Sequence, residues 1–229
     1  MGPLAAMQVL LATTNPHKLE EIRQIIASPR ISWKLLRDLP SVPDEPIEDQ
    51  PTFEGNAALK ADYYAQHTGM TCLADDSGLE VDALGGRPGV HSARYSGVRG
   101  ERSVVDPANN VKLLQELAGI PIERRTARFV CAMCLVSPDR EADRIVVRGA
   151  VAGRILLPEE ADDPAHPERG RGGNGFGYDP LFMLPGDHPR HAGRTTAQLA
   201  DREKNMISHR GVAARRLLET LRRTGTIDA

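Results

Sequence analysis

Several common signals are missing from this sequence of 229 residues. Its 29 basic and 31 acidic side chains leave a formal net charge of −2, so no broad basic surface favours a nucleic-acid partner. No apolar run approaches the roughly 20 residues of a membrane-spanning helix, and the N-terminus shows no signal-peptide pattern. We therefore expect a cytoplasmic protein that binds neither nucleic acid nor membranes.

Two familiar catalytic motifs are also missing. No G-x-x-x-x-G-K-[ST] motif occurs, which excludes a P-loop protein, and no G-x-S-x-G motif marks a serine nucleophile. Residues 170–175 match G-x-G-x-x-G, but they follow a polar loop and precede no helical pattern. Because a dinucleotide-binding motif lies between a strand and a helix, this match does not indicate one.

Cysteine is scarce. Three cysteines, an odd number in a chain of this length, favour a reducing compartment. Cys131 and Cys134 form C-x-x-C, a spacing that also occurs in zinc and redox sites. They fall in a segment predicted to be a strand, where residues i and i+3 face opposite sides of the sheet. We therefore interpret both as small, buried apolar side chains.

The spacing of apolar residues predicts alternating strands and helices in the first half of the chain, followed by a hairpin. The predicted strands cover residues 7–12, 31–36, 71–75, 127–136, 145–155 and 178–184, and the predicted helices cover 17–27, 52–67, 107–118 and 209–222. Segments 40–51 and 158–175 are rich in proline or glycine, and we expect the second to be mobile. The pattern predicts an α/β fold with a mixed sheet.

The most informative segment is Ala74-Asp75-Asp76-Ser77-Gly78, which places two adjacent carboxylates directly after an apolar run. Two unpaired carboxylates repel each other and are costly to desolvate unless a cation lies between them. Mg²⁺ is held by few carboxylates and commonly serves phosphate chemistry. Since adjacent residues of a strand face opposite sides, we expect only one of the pair to contact the metal directly.

Two predicted helices begin with cations, although the positive end of a helix favours acids. Their starts are Asn15-Pro16-His17-Lys18 and Ser208-His209-Arg210-Gly211. Asn and Ser are good N-caps, so each start is well defined. An anion bound there would remove the conflict, because free backbone N–H groups and the cations would converge on it. The two starts together favour phosphate binding over solvated surface cations.

Aromatic residues are few: four Phe, four Tyr and one Trp. Two of them flank a glycine in Phe176-Gly177-Tyr178-Asp179-Pro180. An aromatic face beside flexible backbone can stack on a planar base, and Asp179 can accept a hydrogen bond from its N–H groups. The alternative, a strand edge packed on the core, is equally consistent with this segment alone.

Six segments together resemble the inosine triphosphate pyrophosphatase family. They are LATTNPHK (11–18), TFEGNA (52–57), ADDSG (74–78), PGVHSARYSG (88–97), GFGYDPLF (175–182) and KNMISHRG (204–211). They occur in family order and extend over nearly the whole chain. The resemblance implies one elongated α/β domain over residues 1–229, with two lobes and an active-site cleft between them. It also implies a homodimer.

The resemblance further implies a house-cleaning enzyme that uses Mg²⁺ to hydrolyse ITP, dITP and XTP to the monophosphate and pyrophosphate. By similarity, Asp76 is the catalytic acid and a metal ligand, and Glu48 is the other metal ligand. The residues implied to bind the nucleotide are Thr13, Thr14, Asn15, Pro16, His17, Lys18, Ser77, Phe176, Gly177, Tyr178, Asp179, Lys204, His209 and Arg210.

The sequence departs from the family pattern in three places. Thr14 replaces the commoner glycine, Glu48 lies in Glu-Asp-Gln-Pro instead of Glu-Glu-Thr-Gly, and a loop within residues 158–174 looks inserted. Residues 1–6 form an N-terminal extension. Two other functions stay open: the same chemistry on a different base, and a nucleotide sensor without catalysis.

Overall fold

The computed structural model describes residues 6–227, without the side chains of residues 140–143. The predicted extension over residues 1–6 therefore lies outside the described residues, apart from Ala6. The strands are β1 (Met7–Leu11), β2 (Ile31–Leu35), β3 (Cys72–Val81), β4 (Thr126–Ser137), β5 (Arg140–Ile155) and β6 (Phe182–Met183). The α-helices are α1 (Pro16–Ile25), α2 (Phe53–Thr68), α3 (Arg102–Glu116), α4 (Asp201–Ile207) and α5 (His209–Arg223).

In the described residues the strands form a six-stranded sheet in the order β2-β1-β3-β4-β5-β6. Strand β1 is parallel to β2, in a register that pairs Met7 with Ile31, and it is also parallel to β3. Strand β5 is antiparallel to β6. The predicted α/β class with a mixed sheet is therefore confirmed. Among the described residues, none of the helices has the length and apolar character needed to cross a membrane.

The chain divides into two compact units. Unit 1 consists of residues 1–76, 131–149 and 209–229, and unit 2 of residues 77–130 and 150–208. The core of unit 1 contains Val9 and Leu11 of β1, Ile22 of α1 and Leu217 of α5. The core of unit 2 contains residues of β3, α3 and β4, and aromatic side chains after residue 177. Each unit thus has its own hydrophobic core.

Several predicted element boundaries were wrong, and one helix was missed. Helix α3 begins at Arg102 instead of residue 107, because a turn forms before Pro107 when Val104 and Val105 donate to the Glu101 carbonyl. The last strand covers only Phe182–Met183, because the Tyr178 carbonyl accepts hydrogen bonds from the amides of Leu181 and Phe182 and the chain turns there. Helix α4 was not predicted at all.

Segment 158–174 is held by hydrogen bonds within the segment and by an ion pair to β5. The amide of Asp162 donates to the Gly170 carbonyl, and its carboxylate accepts from the Gly172 amide at 3.1 Å. Arg154 of β5 forms a bidentate ion pair with Glu160 at 2.6 Å for each contact. These contacts define the path of a segment that the sequence predicts as an irregular loop.

Candidate active site

Strand β3 carries the two adjacent acids, Asp75 and Asp76, and it continues beyond them to Val81. Because side chains alternate along a strand, the two carboxylates have different neighbours. Asp75 pairs with Lys18 and Arg210, whereas Asp76 contacts Asn56 and Lys60. The prediction that the pair would divide between two faces of the strand agrees with these contacts.

Asp75 is a structural centre of unit 1. Its side chain is 1% exposed, and its Oδ2 lies 3.0 Å from Lys18 Nζ and 3.3 Å from an Arg210 nitrogen. Arg210, also 1% exposed, forms a further ion pair with Glu21 of α1. Burial alone would raise the pKa of Asp75, but Lys18 and Arg210 outweigh it and hold that pKa well below its usual range. Asp75 is therefore ionised and locked between two cations.

Asp76 has the opposite electrostatic balance. Burial raises its pKa above the usual value, although Lys60 and Lys18 and a hydrogen bond from Asn56 oppose the shift. The Asn56 amide donates to Asp76 Oδ2 at 3.0 Å. A carboxylate with a raised pKa, held by one oriented donor, suits a group that accepts a proton.

Lys60 of α2 joins Asp76 to Glu48. Its ammonium nitrogen lies 2.9 Å from Glu48 Oε2 and 4.0 Å from Asp76 Oδ1. Burial lowers the pKa of Lys60, but Asp76, Asp75 and Glu48 outweigh it and raise that pKa above its usual value. Both predicted metal ligands thus lie within 4.0 Å of one cation.

Helix α1 begins as the sequence predicts. Asn15 is its N-cap, with the side-chain oxygen accepting from the amides of His17 at 3.0 Å and Lys18 at 3.5 Å, and Pro16 is the first helical residue. Thr13 Oγ1 accepts from the Asn15 amide, and Thr14 donates to Glu45 at 2.6 Å. Residues 13–18 therefore form one ordered turn, and its last side chain, Lys18, reaches Asp75.

Helix α5 is positioned by a glycine. A Cβ at Gly149 of β5 would overlap the carbonyl oxygen of His209 and the amide of Ala213. The first turn of α5 therefore packs directly on this strand, and His209 and Arg210 are buried. The residue before the helix, Ser208, has extended backbone angles (φ −64°, ψ 156°), as an N-cap requires. The predicted start at residue 209 is confirmed.

Unit 2 contains a second polar cluster, centred on Asp179. Lys204 Nζ lies 2.6 Å from Asp179 Oδ2, with both side chains 5% exposed. The Thr196 hydroxyl donates to Asp179 Oδ1 at 2.8 Å, and the Phe176 amide donates to Oδ2 at 2.9 Å. A Cβ at Gly175, where φ is +76°, would collide with this ion pair. Both carboxylate oxygens of Asp179 thus have partners within the protein.

The peptide of Gly177 is held at both ends by α3. Asp106 accepts from its amide at 2.9 Å, and Asn110 donates to its carbonyl at 3.2 Å. Tyr178 is buried in the core of unit 2, and its hydroxyl donates to the Ser92 carbonyl at 2.9 Å. Phe176, by contrast, is half-buried. Of the two aromatic residues predicted to stack on a base, Phe176 has the accessible ring.

Three further residues noted in the sequence are Ser77, Cys131 and Cys134. Ser77 follows Asp76 on β3 and is the first residue of unit 2. Cys131 and Cys134 lie on β4 as free, fully buried thiols, and burial raises the pKa of each to about 12. The interpretation of this C-x-x-C pair as buried apolar side chains is confirmed.

Four residues that organise the two clusters were not predicted as site residues. They are Glu21, Asn56, Lys60 and Thr196. A signal for two of them was present: Asn56 and Lys60 are spaced i and i+4 behind the Thr52 cap, so they share one face of α2. Glu21 and Thr196 contact partners distant in sequence, and no local pattern marks them.

The side chains around Asp76 fit a small divalent cation. Within residues 6–227, outside side chains 140–143, no three His, Cys, Asp or Glu side chains are grouped to hold a metal. Mg²⁺, however, commonly takes one or two carboxylates and completes its shell with water and phosphate oxygens. Glu48 and Asp76 supply two carboxylates around one position now shared with Lys60, so the donor set is chemically suitable.

The fold and these clusters define an α/β protein whose mixed sheet supports two groups of buried acids and cations. The Ham1 family matches residues 9–220, and the chain belongs to this family. The resemblance seen in the sequence motifs is thereby confirmed.

The chain is also similar to individual proteins over almost its full length. A protein of Mycobacteroides abscessus named dITP/XTP pyrophosphatase is 45% identical, covering 94% of this chain and 95% of that protein. One of the same name from Thermus thermophilus is 44% identical, covering 94% and 92%. A solved HAM1 protein from Coxiella burnetii is 35% identical and superposes with a TM-score of 0.77, covering 94% of this chain and 98% of the other.

Proposed function

We propose that the chain hydrolyses the non-standard purine nucleotides ITP, dITP and XTP to the monophosphate and pyrophosphate, removing them from the nucleotide pool. The observation that carries this proposal is the environment of Asp76, a buried carboxylate oriented by Asn56 and neighboured by Lys60 and Glu48. Relatives that share about 45% of the sequence and are named dITP/XTP pyrophosphatase support the choice of substrate.

In the proposed reaction a water oxygen attacks the α-phosphorus, the bond to the bridging oxygen breaks, and pyrophosphate leaves. Asp76 orients this water and accepts its proton. Lys18 and Lys60 neutralise negative charge on the triphosphate, and the amide-rich start of α1 adds a favourable dipole. Such transfers depend on positioning and charge neutralisation, so no covalent intermediate is required.

We propose Mg²⁺ as the cofactor, held by Asp76 and Glu48. When bound, it would neutralise phosphate charge and stabilise the leaving pyrophosphate. Lys60, which contacts both carboxylates, keeps their charges compensated when no divalent cation is present. The role of this chain's residues is thus to hold two carboxylates close together at little electrostatic cost.

Base selection is assigned to the cluster in unit 2. Phe176 provides a stacking surface, and Lys204 Nζ lies 5.0 Å from the centre of its ring. Hypoxanthine and xanthine carry a carbonyl at C6, which can accept from a cation, whereas the adenine amino group cannot and would leave the donor unpaired. Arg210, implied by the resemblance to lie near the base, instead bonds Asp75 and Glu21 in this structure, and we assign it to positioning Asp75.

The decisive experiment is a panel of nucleoside triphosphates assayed for pyrophosphate release, with and without Mg²⁺. We expect ITP, dITP and XTP to be hydrolysed much faster than ATP and GTP, and only with the metal. Preference for a modified pyrimidine would replace the proposed substrate while keeping the chemistry. Tight ITP binding without pyrophosphate release would instead identify a sensor and refute the enzymatic proposal.

We also propose that the protein is a homodimer in the cytoplasm. The family resemblance is the basis for the dimer, and free Cys72, Cys131 and Cys134 are consistent with a reducing compartment. Light scattering after size-exclusion chromatography would test the dimer: a mass near 25.0 kDa would show a monomer and contradict it.

A further inference from the structure

Arg102, the first residue of α3, contacts the ring that the proposed function assigns to the base. Its guanidinium carbon lies 5.0 Å from the centre of the Phe176 ring, a distance typical of a cation–π contact. One helical turn later, Asp106 forms an ion pair with Arg102 at 3.6 Å, and the Arg102 side chain is 43% exposed. Arg102 is therefore attached at the surface by weak contacts.

Phe176 also has a second cation beside it. Lys204 Nζ lies 5.0 Å from the same ring centre, but this ammonium is buried and held by Asp179 at 2.6 Å. Two like charges near one ring repel each other. Lys204 is fixed by a buried ion pair and Arg102 is not, so Arg102 is the less constrained of the two cations.

The structure provides space for Arg102 to move. Arg102 lines a cavity of about 290 Å³ together with Ala93, Val98, Arg99, Gly100, Val105 and Asp106. A planar base inserted between the ring and the guanidinium needs two contacts of about 3.5–4.0 Å each, hence a separation of roughly 7–8 Å. Arg102 would have to withdraw by about 2–3 Å from its present 5.0 Å, a small movement for an exposed side chain beside a cavity.

We propose that Arg102 binds the purine base by closing a slot around it, with Phe176 as one wall and the Arg102 guanidinium as the other. A planar, delocalised guanidinium stacks on aromatic rings, which the compact ammonium of lysine does less well. The ligand class is a planar purine carrying a phosphate. This inference rests on the proposed function, because that function assigns the base to Phe176.

The test compares Arg102→Ala and Arg102→Lys with Arg99→Ala, a control that removes a cation lining the same cavity. Calorimetry would measure the binding of IMP, which carries the base, and of inorganic tripolyphosphate, which does not. We expect Arg102→Ala to weaken IMP binding about tenfold and to change tripolyphosphate binding less than twofold. Arg102→Lys should lose most of the same affinity, whereas Arg99→Ala should bind IMP as the parent protein does.

Unchanged IMP binding by Arg102→Ala would overturn the inference, and so would an equal loss for IMP and tripolyphosphate, which would indicate general attraction of anions. Failure of the parent protein to bind IMP would overturn it as well. Pyrophosphate release from ITP, measured separately on the parent protein, tests the proposed function. If the parent protein hydrolyses ITP but Arg102→Ala still binds IMP normally, the slot is refuted and the proposed function is not. Thermal unfolding of each variant checks that the fold is intact.

Discussion

The two adjacent acids of β3 should respond in opposite ways to the same isosteric change. Asp75→Asn removes a buried charge that two cations stabilise, whereas Asp76→Asn removes a charge that burial disfavours. We therefore expect Asp75→Asn to lower the free energy of unfolding at pH 7. Asp76→Asn should leave it unchanged or raise it slightly.

The distances set the magnitude for Asp75. At 3.0 Å and 3.3 Å, each cation attracts the carboxylate by about 5 kcal/mol for an effective dielectric constant of about 20. Desolvation offsets most of this, and removing one partner of a buried ion pair costs about 3–5 kcal/mol. Glu21 still neutralises Arg210 in the variant, so the lower end, about 3 kcal/mol, is expected. For a chain of this size that corresponds to a fall in Tm of roughly 6–12 °C.

Urea denaturation of both variants as a function of pH would measure the effect. The pKa of Asp75 is lowered in the folded protein, so its stabilisation is complete above the unfolded value of about 3.9 and is lost as pH falls towards the folded pKa. The difference between parent and Asp75→Asn should therefore shrink below pH 4 or so. Equal stabilities at pH 7, or a larger loss for Asp76→Asn, would refute this reasoning.

Three further predictions follow from the same contacts. Asp76→Asn should lower turnover of ITP by at least about a hundredfold, since it removes the proposed base; parent-like turnover would exclude that role. Lys60→Met should move the acid limb of kcat/KM to higher pH, because Lys60 lowers the pKa of Asp76; a pH profile with the limb unmoved would contradict this. Thr196→Val should cost about 2 kcal/mol in urea denaturation by removing a hydrogen bond to the Asp179 carboxylate, whereas Thr196→Ser, which keeps the hydroxyl, should cost much less.

Local sequence patterns predicted the structure correctly where it depends on contacts between residues close together in the chain. The Asn15 side chain caps α1 by accepting from the amides of His17 and Lys18, which lie two and three residues further along the chain. Asp75 and Asp76 point to opposite faces because side chains alternate along any strand. The start of α5 at residue 209 was also predicted correctly, and Ser208 before it has the extended backbone of an N-cap. The α/β class followed from apolar spacing, which depends only on which faces are buried.

Contacts between distant segments were not predictable in this way. Lys60 was not predicted, because Glu48 and Asp76 lie close to it only in the folded chain. Thr196 donates to Asp179 across a loop, and nothing near Thr196 in the sequence indicates it. Arg210 was predicted to contact an anion at a helix start, and its ion pairs with Asp75 and Glu21 were not predicted.

Gly149 has a consequence for how this part of the protein tolerates change. The residue has no side chain with which to act, yet the absence of one lets α5 approach β5 closely enough to bring a guanidinium to Asp75. A survey that scores only polar side chains for functional importance would overlook it. The close packing that places Arg210 against Asp75 therefore depends on the absence of a Cβ at residue 149.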